Sequence, residues 1–252
     1  MPEDPSVLSE ALDEFEQELI GGVVFRPFHD PNQWDFVLDG ALRTCNSLTA
    51  HGAEHLVLID SISPRRAPTA GRSDEAEQMS SAEWTAFKDR ILTIAKIGTE
   101  EYGLTVGIHA HAAGFIDFEP EIERLLEEID ENYLKICFDT GHHSYAGFDP
   151  TSFLQRHIQR TSYMHFKDID PVVKADVVSK RIDFYSACGQ GIFCNLGDGD
   201  VNFKAVRELL LENDFDGWCT VEQDCDPEGR TSPFEDAKIN RKYLESIGFK
   251  NF

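Results

Sequence analysis

Leu134-Lys-Ile-Cys-Phe-Asp-Thr-Gly-His-His143 is the stretch that decides the fold. An apolar run of strand length ends in an aspartate, and a threonine, a glycine and two histidines follow at once. Parallel strands covered on both faces read as short apolar runs of this kind. Similar runs lie at residues 22–28, 55–60, 104–109, 162–166 and 217–222, each rich in β-branched or aromatic residues. Helical patterns separate them, as at residues 119–129, 150–158 and 203–211, and Asp149-Pro150 supplies an N-cap with proline in the first turn. Strand–helix alternation gives a parallel sheet with helices on its faces. A doubly wound sheet and an eight-stranded barrel both satisfy that order. The strand ends choose between them: His29-Asp30, Asp60, His109 and His111, Asp139 and His142, His165 with Lys167-Asp168, and Glu222 with Asp224. Chemistry gathered at the carboxyl end of nearly every strand is the barrel arrangement.

The 252 residues suit one barrel domain spanning 1–252. A chain of this size buries roughly three quarters of its surface on folding and needs no staples. Acidic residues outnumber basic ones 46 to 23, for a formal charge of -23. That charge repels phosphate backbones and anionic membranes, so neither nucleic acid nor a membrane is expected as a partner. No apolar run is long enough to span a bilayer, and the opening segment has no signal-peptide pattern. Six cysteines without a CxxC pair read as reduced thiols in a cytoplasmic protein. The loop-like stretch 61–78 follows a strand and reads as a functional loop rather than a linker.

His109 and His111 stand two apart, so both rings face one side of their strand. HxH alone is a weak signal. Joined with Asp139, His165 and Glu222 from other strands, it makes a mixed nitrogen–oxygen site suited to one divalent ion, Mn²⁺, Co²⁺, Fe²⁺ or Zn²⁺. Each residue also has a plain structural account: Asp139 as a helix cap, His165 as a core histidine, and Lys167 as an ion-pair partner of Asp139 or Asp168. Lys167 lies two residues past His165, on the same strand face. Neither a dinucleotide-binding nor a P-loop glycine pattern is present. The stretch Leu196-Gly-Asp-Gly-Asp-Val-Asn-Phe203 suggests calcium superficially, but position twelve counted from Asp198 is Leu209.

These motifs resemble the xylose-isomerase-like (β/α)8 barrels, and within that family the inosose dehydratase-like group. The shared signatures are His-Ala-His-Ala from 109, Phe-Asp-Thr-Gly-His from 138, Met-His-Phe-Lys-Asp from 164, the glycine-rich 191–203 stretch and Gly-Trp-Cys-Thr-Val-Glu-Gln-Asp from 217. In order they cover about residues 21–248. The resemblance implies one metal held by Asp139, His165 and Glu222. The family's strand-four glutamate is replaced by His109, which becomes the expected fourth ligand. It also implies that the first strand of the barrel is lacking. Residues 6–19 read as the first helix and 22–28 as strand two, with a weaker seventh strand at 192–196. The chain is then a truncated form, or something else fills the seam between strands two and eight, by association with a second copy or by the N-terminal segment.

The implied activity is a carbon–oxygen lyase that dehydrates a keto-inositol or related keto-sugar. A keto-sugar isomerase or epimerase on the same site is the alternative, and an inactive paralogue or sugar-binding module another. Lys167, His111 and His142 are the expected acid–base residues, with His109 also in that set. His29, Asp168 and Asp224 are expected substrate contacts, and the partner is a sugar or cyclitol.

Overall fold

The computed structural model describes residues 5–224 and 232–250. Eight strands run in chain order: β1 Gly21–Arg26, β2 His55–Asp60, β3 Thr105–Ile108, β4 Lys135–Asp139, β5 Thr161–Phe166, β6 Asp168–Ile169, β7 Phe193–Cys194 and β8 Trp218–Val221. The helices are α1 Pro5–Glu14, α2 Trp34–Ala50, α3 Ser81–Lys96, α4 Glu119–Glu128, α5 Thr140–Tyr145, α6 Pro150–His157, α7 Pro171–Ser179, α8 Phe184–Gly189, α9 Phe203–Glu212 and α10 Pro233–Ser246. The six expected apolar runs all form strands. They make one parallel sheet in the order β1-β2-β3-β4-β5-β8, curved as half a barrel with the helices outside.

Alternation along the strands divides the core. Val24, Leu56, Leu58, Val106, Ile136, Phe138 and Met164 pack outward under the helices in the main cluster. Val57, Ile59, Cys137 and Tyr163 form a second cluster on the inner face. Register places Val23 beside Val57, Phe25 beside Ile59 and Trp218 beside Tyr163, so these three share the inner face. They are 45%, 37% and 50% exposed, because β1 and β8 are the two edges of the sheet. The expected seam is therefore open among the described residues. The first helix is shorter than the 6–19 pattern, since Glu16 takes a positive φ of 50°. It adds no strand, and Ser9 Oγ instead meets His51 Nε2 at 3.0 Å beyond the end of α2.

One strand expectation is corrected. Residues 192–196 do not join the barrel as a seventh parallel strand. Phe193–Cys194 pairs antiparallel with Asp168–Ile169 in a separate two-stranded ribbon, and β5 pairs directly with β8. The cause is Asp168, whose carboxylate accepts the amides of Gly197, Gly199 and Val201 and folds that segment back onto β6.

Helix starts follow their caps. Asp149 accepts the amides of Thr151 and Ser152 ahead of α6, and Ser80 with Glu83 forms a reciprocal capping box ahead of α3. No helix among the described residues is long and apolar enough to cross a membrane. Cys45, Cys137, Cys188, Cys194 and Cys219 are free thiols, and Cys225 lies outside the described residues.

Candidate metal centre

Four adjacent strands bring one ligand each to their carboxyl ends. His109 follows β3, and its amide donates to Leu58 O at 2.9 Å. Asp139 closes β4 and lies opposite His165 of β5 in register. Glu222 follows β8 and is fixed by its amide on Phe166 O at 3.0 Å. One ligand atom from each of the four falls within 4.8 Å of the others. His109 Nε2 is 3.4 Å from Asp139 Oδ2 and 4.0 Å from Glu222 Oε2, while His165 Nδ1 is 3.9 Å from Asp139 Oδ2. His165 Nδ1 and Glu222 Oε2 touch at 2.5 Å.

These atoms are buried, and both ring nitrogens of His109, Asp139 Oδ2, His165 Nδ1 and Glu222 Oε2 make no hydrogen bond, meeting only one another and Lys167 as ion-pair neighbours. Orphaned polar atoms are costly to bury unless something pairs them. Two imidazoles and two carboxylates without sulfur fit Mn²⁺, Co²⁺, Fe²⁺ or Zn²⁺. Asp139 caps a helix and still keeps one oxygen free for the cluster. Its Oδ1 caps α5 by accepting the His142 amide at 2.7 Å, and Oδ2 faces the cluster.

The motif that decided the fold also builds the wall beside this centre. Thr140 Oγ1 accepts the Lys167 amide at 3.0 Å and donates to Lys167 O at 2.7 Å, locking the end of β5 to the start of α5. Gly141 leaves room for the lysine stem. Lys167 Nζ then sits 2.9 Å from Asp224 Oδ2 and 3.1 Å from His142 Nε2, with the Phe193 ring 4.8 Å away. His142 Nδ1 accepts the Ala112 amide at 3.3 Å. His111 Nδ1 meets Ala112 O at 2.9 Å. A carbonyl only accepts, so that nitrogen carries the proton and Nε2 keeps a lone pair. His111 lies against His142 with ring centroids 4.1 Å apart and planes tilted by 39°, and Phe25 and Phe184 flank it.

The charges are arranged in opposition. Burial and the neighbouring cations hold His142 well below its ordinary value and bring His111 down to about 3. Burial also works against His165, yet the neighbouring Cys137 and Glu222 carry it up to about 11. Burial raises Glu222 and Asp139, but His165 and Lys167 pull Glu222 down, and Lys167 and His109 pull Asp139 down. Lys167 stays above its ordinary value, since Asp139, Glu222 and Asp224 outweigh its burial. Without a cation in the centre, the lysine is held charged.

The structure thus gathers His109, Asp139, His165, Glu222, Lys167, His111, His142 and Asp224 in one place. Asp168 is a correction. It is fully buried, its two oxygens accept the amides of Ile169, Gly197, Gly199 and Val201, and it has no capacity left for a substrate. His29 bonds to Asp60 through Nδ1 at 2.8 Å and through its amide at 3.0 Å, and Asp60 Oδ2 accepts the Phe115 amide. Among the described residues, no hydrogen bond or ion pair joins His29 to the four-residue centre. Sequence reading missed Phe184 and Phe193, which line the histidine wall from the α7–α8 and ribbon segments. Nothing in their local pattern marks them.

The chain is 29% identical to an inosose dehydratase of Geobacillus kaustophilus, over 97% of this chain and 80% of the relative. The structure of a probable 3-DHS dehydratase, AsbF of Bacillus anthracis, superposes with a TM-score of 0.68 at 17% identity, covering 96% of this chain and 80% of that one. The IOLI protein, solved with a bound zinc atom, gives a TM-score of 0.70 at 13% identity, covering 95% and 84%. Residues 2–247 match the xylose isomerase-like TIM barrel family, and with that match and this architecture the chain belongs to it.

Proposed function

We propose that the protein is a metal-dependent carbon–oxygen lyase that dehydrates a keto-inositol or a related keto-sugar. The observation that carries this reading is the convergence of His109, Asp139, His165 and Glu222, whose facing ligand atoms make no hydrogen bond, beside a lysine–histidine wall. The kinship with an inosose dehydratase supplies the substrate class.

Dehydration next to a carbonyl requires removal of the α-proton and departure of a hydroxyl from the adjoining carbon. His109, Asp139, His165 and Glu222 would hold a divalent ion, which when bound would offer positive charge to the oxyanion formed as the α-proton leaves. His111 offers the unprotonated Nε2, held in place because its other nitrogen is committed to Ala112 O, and serves as the base. Lys167, in contact with His142 and Asp224, is placed to donate to the departing hydroxyl. Asp224, facing the same amine, orients that donor or a substrate hydroxyl. Phe25, Phe184 and Phe193 keep water from the histidine wall.

Mass and ultraviolet spectra of products from inosose test the reaction class. The proposal expects a dione with loss of water. Deuterium wash-in without loss of water moves the assignment to an isomerase or epimerase, and no turnover by Mn²⁺-loaded protein contradicts an enzyme of this class.

A further inference from the structure

The amine of Lys167 occupies a position that has the donors of a cation site. Its Nζ lies 2.9 Å from Asp224 Oδ2, 3.1 Å from His142 Nε2, 3.6 Å from Asp139 Oδ2 and 3.7 Å from Glu222 Oε1. Three carboxylates and an imidazole converge on it, and the side chain is 1% exposed. Two of the carboxylates are shared with the four-residue centre. Glu222 turns Oε2 to His165 and Oε1 to Lys167, and Asp139 Oδ2 faces His109 and Lys167 together. Carboxylates that bridge two positive positions in this way are the hallmark of paired-cation sites.

The backbone is shaped to deliver the amine there. A Cβ at Gly141 would lie 2.5 Å from Lys167 Cγ and 2.8 Å from its Cβ, so the lysine stem runs flush over a residue that only glycine leaves bare. Thr140 pins the Lys167 backbone from the same segment through both its amide and its carbonyl. Cutting the side chain back would leave three clustered carboxylates around an open position without compensating charge, an arrangement suited to a cation.

We propose that the Lys167 ammonium is a tethered second cation: it fills the Asp224–His142–Asp139–Glu222 position, keeps the centre mononuclear, and gives way to a second divalent ion when the side chain is cut back and its space opened. This rests on the reading of His109, Asp139, His165 and Glu222 as a metal centre, and the experiment separates the two claims. Full-length wild type, Lys167→Ala and Lys167→Met are stripped of metal, equilibrated with Mn²⁺ alone and analysed for metal per chain, with electron paramagnetic resonance to detect spin coupling.

Expected are one Mn²⁺ in wild type, two spin-coupled ions in Lys167→Ala, and one in Lys167→Met, whose apolar stem keeps the space filled. One ion in wild type and one in Lys167→Ala overturns the inference and leaves the metal centre standing. No ion in wild type overturns the centre itself, and the inference with it. Should Lys167→Ala lose its fold without metal, millimolar Mn²⁺ is expected to restore it and to raise its melting temperature more than that of wild type. A variant that stays unfolded at every Mn²⁺ concentration contradicts the proposal, because no divalent ion has then replaced the ammonium.

Discussion

Asp139 and Asp168 begin alike and end differently. Both are aspartates at strand ends, both are at most 3% exposed, and both sit beside the same lysine. Asp168 spends its two oxygens on four backbone amides and holds the glycine-rich segment against β6. Asp139 spends one oxygen on the His142 amide and leaves the other among His109, His165 and Lys167. A carboxylate saturated with amides is a clamp, and a half-saturated one among imidazoles is poised for a cation. Asp117 is a third case. Its Oδ2 accepts the Ala113 amide and its Oδ1 has no hydrogen bond, but burial, with Glu121 adding to it, brings this carboxyl up to about 7 against the pull of Arg66. It meets its unused capacity with a proton instead of a metal.

Each part of that comparison can be broken. The largest effect is expected from His165→Ala, which removes a ligand opposite Asp139. Tight Mn²⁺ binding should vanish and turnover fall about 10³-fold, the rate equivalent of about 4 kcal/mol. Unchanged metal stoichiometry would return His165 to the core. Lys167→Met should keep its fold and one Mn²⁺ yet lose turnover by about 10²-fold, the scale of an acid–base group. Full activity would leave the histidines as the sole acid–base residues.

Asp168→Ala should act on stability alone. It strands buried amides at a cost of about 3 kcal/mol, and for a chain of this size the melting temperature should drop by about 6–12 °C with metal content unchanged. Loss of metal at native temperature would place Asp168 in the centre after all.

The smallest effect concerns Asp117. Its folded pKa is raised, so its contribution is fully present below the ordinary carboxylate range and is lost as pH rises through about 7. Between pH 4 and pH 8 the melting temperature of wild type should therefore fall relative to Asp117→Asn. Parallel pH profiles would show that Asp117 is ionised throughout.

The parallel sheet was legible because its strands are apolar on both faces and end in polar residues. The His109, Asp139, His165 and Glu222 set was legible because the strands carrying them are neighbours in the sheet. The ribbon was not, since residues 192–196 have the composition of a barrel strand, and only the distant pull of Asp168 on three amides diverts them. The same long-range pairing made Asp168 look like a substrate contact. Phe184 and Phe193 reach the histidine wall from outside the sheet, so no strand-end rule could find them. Lys167 was visible as a neighbour of the ligands, but the carboxylates that keep it charged come from β4 and from the segment after β8, and its charge follows from the fold rather than from its own strand.

X-ray absorption at the cobalt edge of Co²⁺-loaded protein tests the central claim most directly. The account predicts one ion bound by two imidazoles and carboxylate oxygens at about 2.0–2.2 Å, with one imidazole fewer in His109→Ala and no sulfur. A sulfur ligand, or an imidazole count that His109→Ala leaves unchanged, would contradict it.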